Sequence, residues 1–319
     1  MKKVISLILA TVMAFAVFTG CSAKKDDTVV RIGSLSGPTT IGILPLMNDY
    51  KDTENSPYEF TMATQPDEIA AGINNGSLDI ALIPANLAAS LYNKTNGAVT
   101  VIDINTLGVI SCLSADTSIT SVADLSGKSV ISIGQGATPE YALNYLLEKN
   151  GVTDCEVTFM TDGTEVIAAL EEDPTRIAIL PQPAATAAMV RIEGVTTCFS
   201  FTEEWDNVTS DSRLVTGVTV VRTEFLNEHE GLVKTFLEDH ATSVNSCLAD
   251  VNAAATLVVE QGIVAAEPVA IRAIPQCNIV CITGEDMKAA LGGYLQTLFD
   301  QNPQSVGGAM PADDFYYVG

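Results

Sequence analysis

Positive charge is scarce in this sequence. Its 319 residues include 16 lysines and arginines against 39 aspartates and glutamates, a formal net charge of −23. Such an excess of negative charge repels phosphate backbones and anionic lipid headgroups, so it argues against nucleic-acid binding and peripheral membrane binding. For the same reason, long-range steering does not favour a ligand with several negative charges.

Groups that carry common enzyme chemistry are also few. The two histidines, His229 and His240, fall in one polar segment that we predict to be helical, far from any predicted loop at a strand end. The motif GSLSG at 33–37 has leucine where a nucleophile motif needs serine. No Walker loop occurs, and residues 134–139 lack the third glycine of a dinucleotide loop. The sequence therefore predicts neither an enzyme nor a cofactor.

Long apolar runs are confined to the beginning of the chain. Residues 1–21 combine two lysines, an apolar stretch at 4–17 and a small-residue end at Cys21. This pattern is typical of a secretory signal. Its end resembles the lipobox of bacterial lipoproteins, which would make Cys21 the lipidated residue. A simple cleaved signal or an uncleaved anchor is the alternative.

Removal of this signal would leave a more acidic chain. Without its two lysines, the net charge becomes −23 − 2 = −25. Residues 22–27 are expected to form a short tether. No later stretch has eighteen uninterrupted apolar residues, so we predict no second membrane span.

Cysteine is moderately frequent after the signal. The six positions are Cys112, Cys155, Cys198, Cys247, Cys277 and Cys281. An exported protein could pair them, but their spacings match no small disulfide scaffold, and six cysteines allow fifteen connectivities. Cys277 and Cys281 lack CxxC spacing and have no histidine nearby in the sequence, so no metal site is predicted. Buried free thiols are the preferred interpretation.

The stretch at 28–50 predicts a buried strand, a tight loop and a helix. An apolar run ends at Gly33, a small polar turn follows, and apolar residues then return at helical spacing. Such a junction directs backbone N–H groups and the positive end of a helix dipole at whatever lies above it. The candidate ligand residues here are Ser36, Gly37, Pro38, Thr39 and Thr40. Ordinary turn and capping chemistry needs the same residue types and is the alternative.

The same kind of junction recurs three times, after strands predicted at 79–83, 129–133 and 176–180. The further candidate ligand residues are Asn86, Gln135, Gly136, Ala137, Thr138 and Gln182. Helix capping is the alternative role for Asn86. At the third junction, Thr138 is expected to be an N-cap, Pro139 the first helical residue, and Glu140 a favourable charge for the helix dipole.

The order of elements after residue 28 repeats after residue 122: strand, turn, helix, strand, helix, strand, proline turn, helix. Alternating strands and helices predict parallel strands buried between helices. Two such units joined by extended crossings near 107–113 and 216–219 predict an α/β fold of two lobes with a ligand cleft between them. The expected division is 28–113 and 217–319 in lobe one and 114–216 in lobe two.

Several motifs together resemble the substrate-binding proteins of ABC importers, in the nitrate, sulfonate, taurine and thiamine-precursor group. They are the lipobox, the strand at 29–33 with its G-P-T turn, D-L-S-G-K at 124–128, G-Q-G-A-T-P-E at 134–140 and the tail at 307–316. The resemblance covers about 28–319 and implies a type II periplasmic-binding-protein fold that closes around its ligand. It further implies an extracytoplasmic, membrane-anchored monomer that works with an ABC permease and ATPase. It does not transfer a substrate.

The four junctions carry no lysine or arginine. Arg213 and Arg222 are predicted to be solvated strand ends, with pairing to a ligand as the alternative. A cleft of this kind would bind through helix dipoles, amides and hydroxyls, which suits one small oxyanion or a neutral polar heterocycle. We therefore expect an organosulfonate or similar monoanion, and the alternative is a thiamine-precursor pyrimidine or another neutral heterocycle.

Trp205, the single tryptophan, separates these two ligand classes. If it lined the cleft, it would stack on a heterocycle, but its segment favours a short surface helix that packs the ring inward. An exported enzyme or a sensor lipoprotein with the same fold is the alternative of another class.

Overall fold

The computed structural model describes residues 26–319 of the chain. The predicted signal and Cys21 lie outside the described residues. Strands and helices alternate as far as residue 222, and the rest is mainly helical, as the sequence pattern predicts.

The described part contains eleven strands. They are β1 (Val30–Leu35), β2 (Tyr58–Ala63), β3 (Ile80–Pro84), β4 (Val99–Leu107), β5 (Ile110–Ser114), β6 (Ser129–Ser132), β7 (Glu156–Phe159), β8 (Ile177–Pro181), β9 (Thr196–Ser200), β10 (Val215–Arg222) and β11 (Ile279–Ile282).

The same residues form thirteen α-helices. They are α1 (Pro38–Ile41), α2 (Leu44–Tyr50), α3 (Pro66–Asn74), α4 (Ala85–Thr95), α5 (Thr138–Lys149), α6 (Gly163–Glu172), α7 (Ala184–Arg191), α8 (Phe201–Val208), α9 (Thr223–Glu228), α10 (Glu230–Ala249), α11 (Val251–Glu260), α12 (Glu267–Ala273) and α13 (Gly284–Gln301). Short 3₁₀ turns occur at Val122–Leu125, Ile274–Gln276, Pro303–Val306 and Asp313–Phe315.

The first sheet has six strands in the order β11-β4-β10-β3-β1-β2. β1 pairs in parallel with both β2 and β3, whereas β10 is antiparallel to β3 and β4. All nine residues of β4 are buried, because helices cover both faces of the sheet. Because β1 and β3 are parallel neighbours, their carboxyl ends lie side by side.

The second sheet has five strands in the order β7-β6-β8-β5-β9. β6 is parallel to β7 and β8, and β5 is antiparallel to β8 and β9. The carboxyl ends of β6 and β8 lie side by side, as those of β1 and β3 do in the first sheet. In each sheet, the loops that follow two parallel strands are therefore neighbours.

The chain passes between the sheets twice. β4 and β5 belong to different sheets although only Gly108 and Val109 separate them, and the chain returns between β9 and β10. The extended crossing predicted near 107–113 corresponds to this first passage. The division into lobes at 113/114 and 216/217 stays a prediction, although β5 already belongs to the second sheet from Ile110 onward.

Three local predictions were wrong. The single helical segment predicted to contain both His229 and His240 is two helices, α9 and α10, which meet at His229. β11 was not predicted, because four residues are too few to show a period, and it forms by pairing with the edge of β4. Thr138 is the first residue of α5 rather than its N-cap, which is Ala137.

A cluster of charged residues lies at the amino ends of β1 and β3, opposite the loops that follow these strands. The buried Asp79 carboxylate accepts hydrogen bonds from Arg31 Nε (2.8 Å), Arg31 Nη2 (2.6 Å) and Arg222 Nη2 (3.0 Å). It also accepts one from the Arg31 backbone N–H at 3.0 Å. Arg222 is therefore paired and mostly buried, not the solvated strand end that was predicted.

The cluster makes stability depend on pH. Burial opposes ionisation of Asp79, but the hydrogen bonds and charge of Arg31 and the hydrogen bond from Arg222 outweigh it, so the pKa of Asp79 lies below the ordinary value of a carboxyl group. A lowered folded-state pKa stabilises the fold above the unfolded-state pKa of about 3.9. This contribution is lost as the pH falls through the folded-state value.

We expect Asp79→Asn to lower the free energy of unfolding by about 3 kcal/mol at pH 7, because it leaves two arginines without their shared carboxylate. Urea unfolding at pH 7 and at pH 3 measures this. The difference between variant and wild type should shrink at the lower pH. Asp116→Asn, at a surface turn, is the matched control and should change stability by less than about 1 kcal/mol. Equal effects of the two substitutions would contradict the assignment.

Candidate ligand-binding site

The loop after β1 uses most of its hydroxyl groups to hold its own shape. Thr39 Oγ1 and Thr40 Oγ1 donate to the Leu35 carbonyl at 3.0 and 2.7 Å, and both side chains are buried. The Ser36 N–H donates to the carbonyl of Ala63 at 2.8 Å. The Ser36 hydroxyl is only partly buried and makes no hydrogen bond within residues 26–319. Ser36, rather than the two threonines, is therefore free to offer its hydroxyl to a ligand.

This loop lies directly against β10. A Cβ added at Gly217 would collide with the Thr39 methyl group and with Asn105 Oδ1. Glycine is thus required where the loop containing Gly37 and Pro38 approaches the first residues of β10. The close approach places the first candidate loop beside the passage between the sheets.

Asn86 is the second residue of α4, directly after β3. Its side chain is half-buried, and it makes no capping hydrogen bond. β3 is the neighbour of β1 in the sheet, with Ser34 opposite Leu82. Asn86 and the Ser36 loop therefore follow the carboxyl ends of neighbouring strands. The side-chain amide of Asn86 remains available to bind a ligand.

The third loop begins α5. Gly134 and Gly136 have φ angles of 79° and 72°, a region that favours glycine. The hydroxyl of Thr138 is buried and lies 3.1 Å from the hydroxyl of Tyr294 in α13. It therefore faces the core rather than the loop, where Gln135 is exposed and Ala137 half-buried.

A carboxylate lies at the amino end of α5. The Gly136 N–H donates to Glu140 Oε2 at 2.5 Å. The prediction that Glu140 serves the helix start agrees with this contact. The contact also places a negative charge where an anionic ligand would otherwise meet the helix dipole.

Gln182 ties the fourth loop to the passage between the sheets. Its N–H donates to the Val109 carbonyl at 2.8 Å. Its Oε1 accepts from the Thr186 N–H (3.2 Å) and the Thr186 hydroxyl (2.7 Å). The Gln182 side chain is buried, and its NH₂ group makes no hydrogen bond within the described part of the chain. The oxygen therefore has a structural role, and the NH₂ group is the available donor.

Contacts of the loops after β1, β3 and β8 place these three loops beside the segments that pass between the sheets. Ligands of open α/β sheets bind outside the carboxyl ends of parallel strands. Pro84, at the end of β3, pairs with Gly217, and Gln182 binds Val109, so both loop-bearing edges adjoin the passage. The uncharged donors available there are Ser36, Asn86, Gln182 and backbone N–H groups.

One further hydroxyl belongs to this region and was missed by sequence reasoning. Thr216 Oγ1 in β10 is buried and lacks a hydrogen-bond partner within residues 26–319. Thr216 precedes Gly217, beside the first loop. It carries no turn or capping signal because it lies inside a strand, so a local pattern could not have identified it.

Trp205 packs into the core, as predicted. Its side chain is fully buried, its Nε1 donates to Ser212 Oγ at 3.0 Å, and its ring lies 4.3 Å from Tyr145 and 5.9 Å from Tyr294. It is therefore unavailable for stacking on a ligand. Trp205 therefore gives no support to a heterocyclic ligand.

Two hollows lie elsewhere on the protein. One of about 990 Å³ lies between residues 26–30, the loop at 55–58 and the start of α10. Another of about 470 Å³ lies between α2, β2 and α11. Neither is lined by a candidate ligand residue, and the larger one is lined by several carboxylates.

We expect Thr138→Val and Tyr294→Phe to couple by about 1 kcal/mol in unfolding free energy, because each removes one hydroxyl of the same buried hydrogen bond. Urea unfolding of the two single variants and the double variant gives the coupling. Tyr58→Phe, which removes a hydroxyl in the first sheet, combined with Thr138→Val is the control pair and should be additive. Additivity of the first pair would show that Thr138 does not bond Tyr294.

Comparison with known proteins identifies a matching family and similar folds. The family model described as NMT1/THI5 like matches residues 87–254. The fold is similar to an ABC transporter protein from Parabacteroides distasonis, at 19% identity and a TM-score of 0.77, covering 91% of this chain and 99% of that one. It is also similar to the periplasmic aliphatic sulphonate binding protein SsuA from Escherichia coli, at 15% identity and a TM-score of 0.68, covering 88% and 90%.

A third similar structure is the alkanesulfonate-binding protein SsuA from Xanthomonas axonopodis pv. citri bound to MOPS, at 12% identity and a TM-score of 0.62, covering 91% and 96%. A search of curated proteins gave no significant match. Together these similarities confirm the predicted two-lobed type II periplasmic-binding-protein fold. Because the family model matches more than half of its residues, this protein belongs to the NMT1/THI5-like family.

Proposed function

We propose that this protein is the extracytoplasmic solute-binding component of an ABC importer. It binds one small ligand in the cleft between its lobes and delivers it to a permease and an ATPase. The observation that supports the proposal is that Ser36 and Asn86 follow two paired strands of the first sheet, and Gln182 bonds the segment between the sheets, with uncharged donors that make no hydrogen bond within residues 26–319. The fold and the family support it.

The positions of the histidines support binding rather than catalysis. His229 Nδ1 lies 2.5 Å from Asp26 Oδ2 at the surface, and His240 is buried against the first sheet. Neither lies among the candidate loops. We therefore propose reversible binding without turnover by a monomer.

Closure of the lobes is part of this proposal. We place the hinge at 108–109 and at 209–214, where the chain changes sheets, slightly different from the crossings predicted by sequence. Gln182 and Thr216 lie beside these segments. A ligand that bonds them would link the two lobes and favour the closed form.

We propose a small monoanion such as an organosulfonate as the ligand. The available hydroxyl, amide and backbone N–H groups all donate hydrogen bonds, which an oxyanion accepts well. No lysine or arginine lies in the four loops, so a ligand with two or three negative charges would lack a counter-ion. Two of the similar structures are described as sulphonate- or alkanesulfonate-binding proteins, which supports this choice.

An uncharged polar ligand is the second candidate, and Glu140 favours it. Its carboxylate at the amino end of α5 repels an anion there and leaves a neutral molecule unaffected. The two candidates therefore differ in how binding responds to the charge of Glu140.

A thermal-shift screen of sulfonates, nitrate, pyrimidines and amino acids tests the function. A ligand at 100 times its Kd should add about 2.7 kcal/mol to stability and raise Tm. We expect Glu140→Gln to tighten binding of a monoanion by roughly two- to five-fold, since a nearby helix-end charge contributes about 0.3–1 kcal/mol. Glu148→Gln, at the other end of α5, removes the same charge and should leave Kd unchanged.

The controls distinguish the possible outcomes. Selective stabilisation by a neutral compound, with Kd insensitive to Glu140→Gln, would favour the second candidate. Selective binding of a phosphorylated or dicarboxylate compound would show that the argument from an uncharged cleft is wrong. A purified catalytic activity abolished by Ser36→Ala or Gln182→Ala would overturn the binding function itself.

We also propose anchoring by a lipid on Cys21. Among residues 26–319, none of the helices is long and apolar enough to cross a membrane. The predicted signal and lipobox carry the proposal. Cys21→Ala should release the protein from membranes or leave it unprocessed, as fractionation and intact-mass measurement will show. A mature wild-type protein that starts beyond Cys21 without lipid would contradict it.

A further inference from the structure

Three residues that are distant in the sequence meet against the first sheet. Asp103 lies on β4, His240 on α10 and Cys281 on β11. One potential ligand atom from each lies within 4.8 Å of the other two. Sequence reasoning dismissed Cys281 as a metal ligand because no histidine is near it in the chain. The fold supplies that histidine from another element.

The cluster contains a buried carboxyl group with no lysine or arginine beside it in the described part of the chain. Asp103 is fully buried, and its partners are Thr219 Oγ1 (2.8 Å from Oδ1) and His240 Nδ1 (3.1 Å from Oδ2). No lysine or arginine forms an ion pair with it in the described part of the chain. An ionised carboxylate without a cation is costly in a protein interior, by several kcal/mol.

The histidine in this cluster is also incompletely satisfied. His240 is fully buried, and its Nε2 has no hydrogen-bond partner within residues 26–319. A charged imidazole would compensate Asp103 but leave a buried N–H without an acceptor. A neutral imidazole would leave Asp103 without a cation. Hydrogen bonding within the protein therefore does not satisfy both residues.

The surroundings hold these groups in place. Thr219 Oγ1 donates to Asp103, Asn105 Nδ2 lies 3.2 Å from Thr219 Oγ1, and Thr106 Oγ1 donates to Asn105 Oδ1 at 2.9 Å. The ring of Phe236 stacks on His240 with centroids 5.5 Å apart. Hydrogen bonds behind the ligands fix their orientation in metal sites in the same way.

We propose that Asp103, His240 and Cys281 form a binding site for one zinc(II) ion or a similar borderline divalent cation. Zinc takes carboxylate oxygen and imidazole nitrogen at about 2.0–2.2 Å and thiolate sulfur at about 2.3 Å. The three ligand atoms already lie within 4.8 Å of one another, and zinc binding would draw them closer together. The cation supplies the missing positive charge, and three protein ligands leave one coordination position open.

Binding of zinc changes the protonation of the thiol. Burial and the Asp103 carboxylate raise the pKa of Cys281, so the metal-free thiol is protonated. Zinc(II) replaces that proton on sulfur, a zinc–sulfur bond forms as the sulfur–hydrogen bond breaks, and the proton leaves to solvent. No oxidant or reductant is involved.

A cation can reach the site at the edge of the sheet. β11 is the outermost strand, pairs with β4 at two positions with an irregularity between them, and leaves Cys281 partly exposed. Coordination would fasten β11 and α10 to β4. The proposed role is therefore structural, and it is independent of the ligand cleft.

Cobalt(II) is the direct probe, because thiolate ligation gives an intense charge-transfer band that oxygen-only sites lack. Metal-free protein should bind one equivalent of cobalt with this band, and zinc should displace it. Zinc should also raise Tm. Absence of a stoichiometric band in the wild-type protein would overturn the proposal without any variant.

Variants locate the site. Cys281→Ser and Asp103→Asn should abolish the band or weaken binding more than about tenfold, since even changes behind the ligands can cost that much. Circular dichroism verifies that each variant is folded. Cys155→Ser, at another partly buried thiol, is the matched control and should retain the band. A band that persists in Cys281→Ser would place the metal elsewhere and overturn the proposal.

Discussion

The carbonyl group of Gly108 is the contact on which the arrangement of the two sheets depends. It accepts hydrogen bonds from Thr202 Oγ1 at 3.0 Å and Asn278 Nδ2 at 2.5 Å. A side chain at Gly108 would collide with Thr202 and Leu214, so only glycine allows this packing. One backbone unit thereby joins the end of β4, the start of α8 and the residue before β11. The passage between β4 and β5 is therefore short and well bonded.

Charges are arranged differently at the two ends of the parallel strands in the first sheet. At their amino ends, Asp79 is buried between Arg31 and Arg222, and each of these three charges has a partner. At the other ends of these strands, the loops after β1 and β3 carry the neutral side chains of Ser36 and Asn86. The proposed cleft would select by hydrogen bonding rather than by ion pairing. The strong net negative charge adds to this selection, because it disfavours highly charged anions.

Buried polar groups in the same sheet fall into two kinds. The Asp79 cluster is satisfied by protein groups and stabilises the fold. The Asp103 and His240 pair has a buried carboxyl group without a lysine or arginine partner and a ring nitrogen without a hydrogen bond within residues 26–319, and it lies beside a thiol. Buried polar groups normally have partners, so each exception calls for an explanation. Thr216, in β10 beside the loop after β1, is a similar exception.

Local pattern determined much of this protein. Alternating apolar runs, glycine turns and proline-led helix starts predicted the strands and helices up to residue 222, the four loops and the family. Each of these signals comes from residues close in sequence, which share one element or one turn. The same signals identified Ser36, Asn86 and Gln182 as residues that follow strand ends, and their ligand role stays a prediction.

Tertiary structure alone decided how the polar groups are used. It turned Thr138 toward Tyr294, engaged the oxygen of Gln182 with Thr186, and buried Trp205. It created β11 by pairing four residues with a distant strand, and it brought Cys281 to Asp103 and His240. The physical reason is that hydrogen-bond partners and burial come from segments far apart in the chain. A sequence pattern therefore determines where an element forms, whereas packing determines which of its side chains remain free to bind.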